Sequence, residues 1–138
     1  MAVNFNLREY RALDPASDPL GRAWMGWMDD QPEHELWMHN RGVWNLKPAL
    51  VDTQRLATLS FAGTIRIVVS ITGAERVWDT RAKRWKTALV GEVLPAGNVV
   101  REALVGTALL HGDVSAVSLH DTARLDRLLP ARVHPSSW

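Results

Sequence analysis

The strongest hydrophobic pattern in the chain is a pair of β-rich runs in its middle third. The first run covers Leu56–Phe61 and the second covers residues 64–72, with Ala62 and Gly63 between them. The second run holds the densest group of β-branched residues, which favour strands because they pack well on a pleated surface. A short link that contains glycine between two such runs is typical of a β-hairpin. This hairpin is predicted to form the core of a small curled sheet.

Shorter apolar patterns predict three further strands, at residues 43–46 (VWNL), 85–93 (WKTALVGEV) and 114–119. The polar, charged segment 73–83 is predicted to connect two strands. Residues 95–98 (PAGN) are a turn signal, because proline, glycine and asparagine each favour turn conformations. The strands therefore follow one another through the second half of the chain.

Two helices are predicted in the first third, where apolar residues recur at helical spacing. The first would begin near residue 20 and would place four apolar side chains on one face: Leu20, Trp24, Trp27 and Met28. Pro32 suits the first turn of a second helix, which would end before Gly42. The secondary structure of residues 99–110 is ambiguous. Their apolar spacing fits a short helix, but the valines and the glycine weaken the prediction of a helix. Residues 125–129 suit a single helical turn.

This order of elements predicts an α+β fold, a small curled sheet or β-barrel with N-terminal helices packed on it. A length of 138 residues fits one domain with a real core. Residues 1–18 are predicted to be an N-terminal arm, residues 19–130 a single domain, and residues 131–138 a tail or linker.

Composition narrows the class of protein. The chain has 0 cysteines, which excludes disulfides, thiolate metal sites and a cysteine nucleophile. No apolar run approaches the roughly 20 residues that span a bilayer, and the first residues lack the pattern of a signal peptide. A cytoplasmic protein with no membrane partner is expected.

Charge and aromatic residues point to one segment. The formal net charge is only +1, but residues 76–86 carry five basic side chains together with Trp78 and Trp85. Mixtures of cations and aromatic rings suit a phosphate backbone with a base stacked nearby. The alternative is that Trp44 and Trp85 are core residues at the starts of strands, and this alternative has about equal weight for each of them.

Catalytic and metal-binding signals are weak. The chain contains no HExxH, GxSxG or GxxxxGK[ST] motif. The His111/Asp113 and His120/Asp121 pairs lie at turn signals and are interpreted as ordinary surface residues. No catalytic residue, metal site or cofactor is predicted.

The segments RGVWNL, RLATLSFAGTIRIVVSITGAERV, RWKTALVGEVL and VVREALVGTAL follow one another in an order that resembles the PUA-like superfamily. These small barrels include the EVE, ASCH and YTH domains. More narrowly, the chain resembles the N-terminal modified-base-reading domains of actinobacterial HNH-type (type IV) restriction endonucleases. The resemblance covers roughly residues 40–110.

The resemblance implies a module that reads a modified base in duplex DNA, with 5-methylcytosine favoured, for methylation-dependent restriction. It implies no catalysis by this chain, although a nuclease domain could be attached in the full-length protein. The implied pocket for the modified base comprises Trp44, Trp85, His39 and Asn40. The implied contacts to the DNA backbone are Arg41, Arg76, Arg81, Lys83, Arg84 and Lys86.

Three alternatives remain open. The first is an RNA-binding PUA or ASCH-like module, because single-stranded RNA also needs aromatic stacking and arginine. The second is a small ASCH-like enzyme that acts on nucleosides, with a buried ionisable group such as His39, Glu92 or Asp113. The third is a protein-interaction domain, or a homodimer, that docks through the tryptophans of the predicted N-terminal helices: Trp24, Trp27 and Trp37.

Overall fold

The computed structural model describes residues 1–108 and 116–129. Its strands are β1 (Ala2–Asn6), β2 (Arg11–Ala12), β3 (Trp24–Met25), β4 (Leu56–Phe61), β5 (Thr64–Asp79), β6 (Arg84–Val93) and β7 (Val117–His120). Its helices are α1 (Glu33–Asn40), α2 (Pro48–Thr53), α3 (Val99–Leu104) and α4 (Ala123–Asp126). Within these ranges, no helix is both long and apolar enough to cross a membrane.

Five strands form a mixed sheet in the order β6-β5-β4-β1-β7. Strand β1 is parallel to β4 and antiparallel to β7, while β4, β5 and β6 pair antiparallel. The predicted hairpin of β4 and β5 is confirmed, with its turn at Ala62 and Gly63, both of which have positive φ. The α+β class is likewise confirmed.

Contacts between the ends of the sheet show that it curls. The backbone of Trp44 pairs with Thr87 on the outer edge of β6, through two hydrogen bonds of 2.8 Å. The ring of Trp44 nevertheless stacks on Phe5 of β1, with centroids 4.5 Å apart. In a flat sheet the Trp44 segment, at the outer edge of β6, would be four strand spacings from β1, about 19 Å. The sheet therefore bends around its core.

The concave side of the sheet is filled by helix α1. Its Leu36 and Trp37 are buried in one cluster with Phe5, Leu59 and Leu89 of the sheet. Successive strand residues point to opposite faces, so the other face carries a second cluster beneath α3. The walls of the concave side are therefore held rigidly by α1 and the strands around it.

The prediction of an arm over residues 1–18 is wrong for its first part. Residues 2–6 form β1, which lies inside the sheet with a partner strand on each side. Val3 and Phe5 point into the core, and Asn4 is buried on the opposite face, where it bonds to Thr58 and Ser60. The polar asparagines are thus compatible with a central strand because their hydrogen bonds are satisfied.

The helix predicted from residue 20 is also wrong, because this region consists of turns and the short strand β3. Gly21 and Gly26 have φ angles of +68° and +89°, which no α-helix contains. The second predicted helix is confirmed as α1, which begins after Pro32 and ends before Gly42.

Two predictions differ from the structure in the type of element. Residues 43–46 form only an isolated bridge at Trp44. Residues 73–79, predicted as a connection, continue strand β5 because they pair with β6 along their whole length. The predicted strand at 85–93 is confirmed as β6.

The remaining predictions concern the end of the chain. The ambiguous segment 99–110 begins with helix α3, and the strand predicted at residues 114–119 corresponds to β7 at Val117–His120. Residues 109–115 lie outside the described residues. The predicted turn at residues 125–129 corresponds to α4 and the turn after it. His111, Asp113 and the tail at residues 131–138 lie outside the described residues.

Gly26 is needed where the segment before β2 passes close to β3. A Cβ atom at Gly26 would lie 2.3 Å from the carbonyl oxygen of Glu9, whereas one at Gly21 would meet nothing within 4 Å. Both residues have positive φ, so alanine is strained at each, and the contact with Glu9 is an additional cost at Gly26. We expect Gly26→Ala to lower the free energy of unfolding by about 2 kcal/mol more than Gly21→Ala does, as measured by urea denaturation. Equal losses would contradict the close approach.

Candidate functional site

A cavity of about 330 Å³, called here the Trp44 pocket, opens between β1, β3 and the end of α1. Its walls comprise Asn6, Leu7, Arg8, Glu9, Arg11, Met25, Gly26, Asn40, Trp44 and Ala116. The side chains of Leu7, Met25 and Trp44 give it an apolar interior, while its charged residues are Arg8 and Glu9, between β1 and β2, and Arg11 of β2. A planar apolar group with a polar edge is the type of ligand that such a wall accommodates.

Trp44 is fixed in this wall by three contacts. Phe5 covers one face of its ring, and its Nε1 donates a hydrogen bond of 2.9 Å to the carbonyl oxygen of Asn40. Its backbone is paired with Thr87 on the edge of β6. Because one face is covered and the ring is half-buried, its remaining surface is available to the pocket.

Asn40, the last residue of α1, holds the helix against Gly26, which directly follows β3. Its side chain is fully buried, and its Oδ1 accepts a hydrogen bond from the backbone nitrogen of Gly26. Its Nδ2 donates to the carbonyl oxygens of Gly26 and Leu36. The amide is thus engaged within the protein, so Asn40 shapes the pocket and positions Gly26 beside Trp44.

A larger cavity of about 600 Å³, the polar cleft, adjoins the Trp44 pocket, since Arg11 and Met25 line both. It extends towards the end of the β5–β6 hairpin, where Asp79, Thr80, Arg81 and Lys86 form its wall. The other side consists of the loop between β2 and β3. The Trp44 pocket and the polar cleft are therefore neighbours that share Arg11 and Met25.

An ion pair between Asp18 and Arg22 closes one side of the polar cleft. Arg22 donates from Nε and Nη2 to the two carboxylate oxygens, each at 3.0 Å, and from Nη1 to the carbonyl oxygens of Gly42 and His39. Burial raises the pKa of Asp18, but the hydrogen bonds and charge of Arg22 outweigh it and hold that pKa below its usual value. Arg22 thereby ties the loop to the segment that carries Trp44.

The end of the β5–β6 hairpin exposes two tryptophans. Trp78 and Trp85 pair directly across the strands and are 46% and 54% exposed. Their rings meet edge to face at 5.4 Å, and the guanidinium of Arg76 lies 5.4 Å from the centre of the Trp85 ring. This arrangement leaves a large aromatic surface in contact with solvent beside a cation.

The basic residues of this region fall into two groups. Arg41 is paired with Glu75 and Lys86 with Asp79, each at 2.9 Å, and the hydrogen bond from Lys86 holds the pKa of Asp79 below its usual value. The others are exposed and form no ion pair within the described part of the chain: Arg76, Arg81, Lys83 and Arg84. The second group is the one available to an anionic partner.

The structure brings together only part of the predicted base pocket. Trp44 and Asn40 line the same cavity, whereas Trp85 lies at the hairpin end. The ring of His39 stacks on Trp24 at 3.9 Å, and its Nδ1 lies 2.8 Å from the carbonyl oxygen of Glu35.

The sequence interpretation missed the walls that Leu7, Arg11 and Met25 contribute, because their segments were read as an arm and a helix. The alternation of Val3, Phe5 and Leu7 with asparagines was the signal that predicts a strand there.

Two further kinds of site considered from the sequence can be compared with the described residues. These residues contain no group of three or more histidines and carboxylates close enough to hold a metal ion. Glu92, considered as a buried ionisable group, is exposed. The tryptophans considered as a docking face do not form one surface, since Trp37 is fully buried and Trp27 stacks on Phe61.

No protein-family model, curated protein or solved structure matches the chain.

Proposed function

We propose that this protein is a DNA-binding module that reads a modified base, 5-methylcytosine in duplex DNA, without catalysis of its own. The base would enter the Trp44 pocket, and the phosphate backbone would follow the polar cleft and the basic hairpin end. The observation that carries this proposal is that the two cavities adjoin at Arg11 and Met25, which line both. The Trp44 ring therefore lies next to a cleft that carries Arg11 and Arg81, together with Asp14 and the two ion pairs Asp18–Arg22 and Asp79–Lys86.

The size of the Trp44 pocket supports a single base as its occupant. Ligand pockets in proteins range from roughly 300 to 1,000 Å³, and a volume of about 330 Å³ lies at the small end. A base inside a duplex is stacked on its neighbours, so it must be flipped out of the helix to enter such a cavity. Trp44 would then cover one face of the flipped base.

The apolar walls support recognition of a methyl group. Carbon 5 of cytosine carries a hydrogen, and its methylation adds an apolar surface without a new hydrogen bond. Leu7 and Met25 offer matching surface beside Trp44. Since the gain from one methyl contact is about 1–2 kcal/mol, we expect a preference of about 10-fold for methylated DNA.

The PUA-like architecture belongs to the same proposal. The curled five-stranded sheet and the helix against its concave side support a small barrel-like domain of that type. PUA-like readers commonly bind their ligands on a concave face of the barrel, and the Trp44 pocket lies at the concave side of this sheet.

A fluorescence-anisotropy titration tests the proposed function. Three duplexes of one sequence, unmodified, hemimethylated and fully methylated at cytosine, are compared at a single fixed salt concentration because phosphate contacts make affinity salt-dependent. The proposal expects binding about 10-fold tighter to a methylated duplex. Equal affinity for all three duplexes would overturn it.

Substitutions of Trp44 test the role of the pocket. We expect Trp44→Leu to abolish the preference for methylated DNA while binding to unmodified duplex changes less than about 3-fold, because the backbone contacts remain. Trp44→Phe keeps an aromatic wall and should retain part of the preference. Thermal denaturation shows whether each variant is folded. A folded Trp44→Leu variant with undiminished preference would remove the pocket from the proposal.

A further inference from the structure

We infer that the end of the β5–β6 hairpin is a second binding site, one that takes unpaired nucleotides whether or not they are modified. We call it the hairpin platform and define it by Arg76, Trp78, Arg81, Lys83, Arg84 and Trp85. The inference rests on the proposed function in taking nucleic acid as the partner and in using the same cations of the hairpin end for phosphate contacts. It needs neither the Trp44 pocket nor a methyl group.

The platform continues the core-facing side of the hairpin beyond the body of the protein. Alternate cross-strand pairs share one face of a β-ribbon, and here the pair of Ala74 and Leu89 is followed by Trp78 and Trp85 two steps farther out. Ala74 and Leu89 are buried in the main core, whereas the tryptophan pair is about half exposed. The aromatic surface therefore points the same way as the core, and about half of it is left exposed by the described part of the chain.

Cross-strand packing alone explains why the two rings touch, since aromatic pairs stabilise β-hairpins. It does not explain the cations around them. Arg76, on the same face, lies against the Trp85 ring, and the turn between the strands adds Arg81 and Lys83. Arg84, the first residue of β6, adds a fourth cation on the opposite face of the ribbon. The two acids in the outer half of the ribbon, Glu75 and Asp79, are already paired with Arg41 and Lys86. The platform thus combines a net positive charge with exposed ring surface.

This combination selects the occupant. Phosphates neutralise the cations, and a base offers a flat face to a tryptophan ring. In a duplex both faces of an internal base are covered by its neighbours, so only an unpaired or terminal base can stack on Trp78 or Trp85. An acidic protein segment would match the charge but would leave the rings without a planar partner. The platform is therefore suited to single-stranded nucleic acid.

The test compares three unmodified oligonucleotides of equal length: single-stranded DNA, its duplex and single-stranded RNA. We expect the full chain to bind single-stranded DNA, with quenching of tryptophan fluorescence as bases stack on the rings. The double variant Trp78→Leu/Trp85→Leu should bind the single strand at least 10-fold more weakly. Tight binding to RNA supports the inference equally, and the ratio of the two affinities tells which sugar the platform takes.

A second pair of variants separates stacking from folding. Trp78→Tyr/Trp85→Tyr keeps two aromatic faces and should restore most of the affinity, while circular dichroism verifies that each variant keeps its sheet. Trp44→Leu removes the wall of the pocket and keeps the platform, so single-strand binding that persists in this variant but is lost in the double-leucine variant belongs to the platform. The inference is overturned if a folded double-leucine variant binds the single strand as tightly as the parent. It is also overturned if the parent binds the duplex as tightly as the single strand and shows no quenching.

Discussion

Replacing Arg81, Lys83 and Arg84 by glutamine is expected to weaken DNA binding about 100-fold at 0.15 M salt. Each cation that neutralises a phosphate releases a counterion and contributes about 0.9 to the slope of log affinity against log salt concentration. Three such contacts correspond to a slope change of roughly 3, which gives a loss of about two orders of magnitude at this salt concentration. The three side chains are exposed and form no ion pair in the described residues, so their removal should not unfold the hairpin.

The matched control removes cations elsewhere. Arg124 and Arg127, in and directly after α4, are exposed and lie on the opposite side of the sheet from the Trp44 pocket. Arg124→Gln/Arg127→Gln lowers the net charge but should change the affinity less than about 3-fold and leave the salt slope as it was, because no phosphate contact is lost. Titrations at four salt concentrations give both slopes. The same loss per removed charge in both variants would show that only net charge matters, and the hairpin end would lose its assigned role.

Local patterns predicted those parts of the fold that local interactions determine. The hairpin of β4 and β5 combines β-branched strands with a two-residue turn, and α1 begins directly after a proline. In each, the preferred backbone conformation of the residues agrees with the final structure. The same agreement accounts for the correct assignment of β6.

The errors arose where distant contacts decide the structure. Strand β1 is only five residues long and is parallel to β4, more than fifty residues away, so no turn signals its pairing. Two prominent tryptophans, Trp24 and Trp27, are three residues apart as on a helix, yet Gly26 between them adopts a left-handed conformation that its close approach to Glu9 requires. Spacing alone did not reveal that constraint.

In the candidate site, too, the features set by local sequence were predicted and those set by distant contacts were not. The cluster of cations and tryptophans between residues 76 and 86 is contiguous in sequence and was predicted directly. The separation of Trp44 from Trp85 was not, because it depends on β5 and β6 extending past the body of the protein. Once the ribbon extends, Trp85 lies at its end and Trp44 remains on Phe5, and one expected pocket becomes two distinct surfaces.

Breaking the ion pair of Asp18 and Arg22 is expected to have the largest effect on stability. Both side chains are more than nine-tenths buried, so removing one leaves an uncompensated charge inside the protein. We expect Arg22→Met to lower the free energy of unfolding by about 4 kcal/mol, since loss of one partner of a buried pair costs about 3–5 kcal/mol. The double variant Asp18→Asn/Arg22→Met should lose less than the sum of the two single variants, because it leaves no unpaired charge.

The pH dependence gives an independent check on this pair. The pKa of Asp18 is lower in the folded protein than its usual value, so the carboxylate stabilises the fold above pH 4 and this contribution disappears as the pH falls through the folded-state pKa. The difference in unfolding free energy between the parent and Asp18→Asn should therefore be large at pH 6 and shrink towards pH 2. Asp14→Asn is the control, because Asp14 is exposed and its carboxylate accepts only from the backbone nitrogen of Ala16. A difference for Asp18→Asn that stays constant between pH 6 and pH 2 would contradict the role assigned to the charge.

Because Arg22 also donates to the carbonyl oxygens of His39 and Gly42, its loss should loosen the segment that carries Trp44 and reduce the preference for methylated DNA.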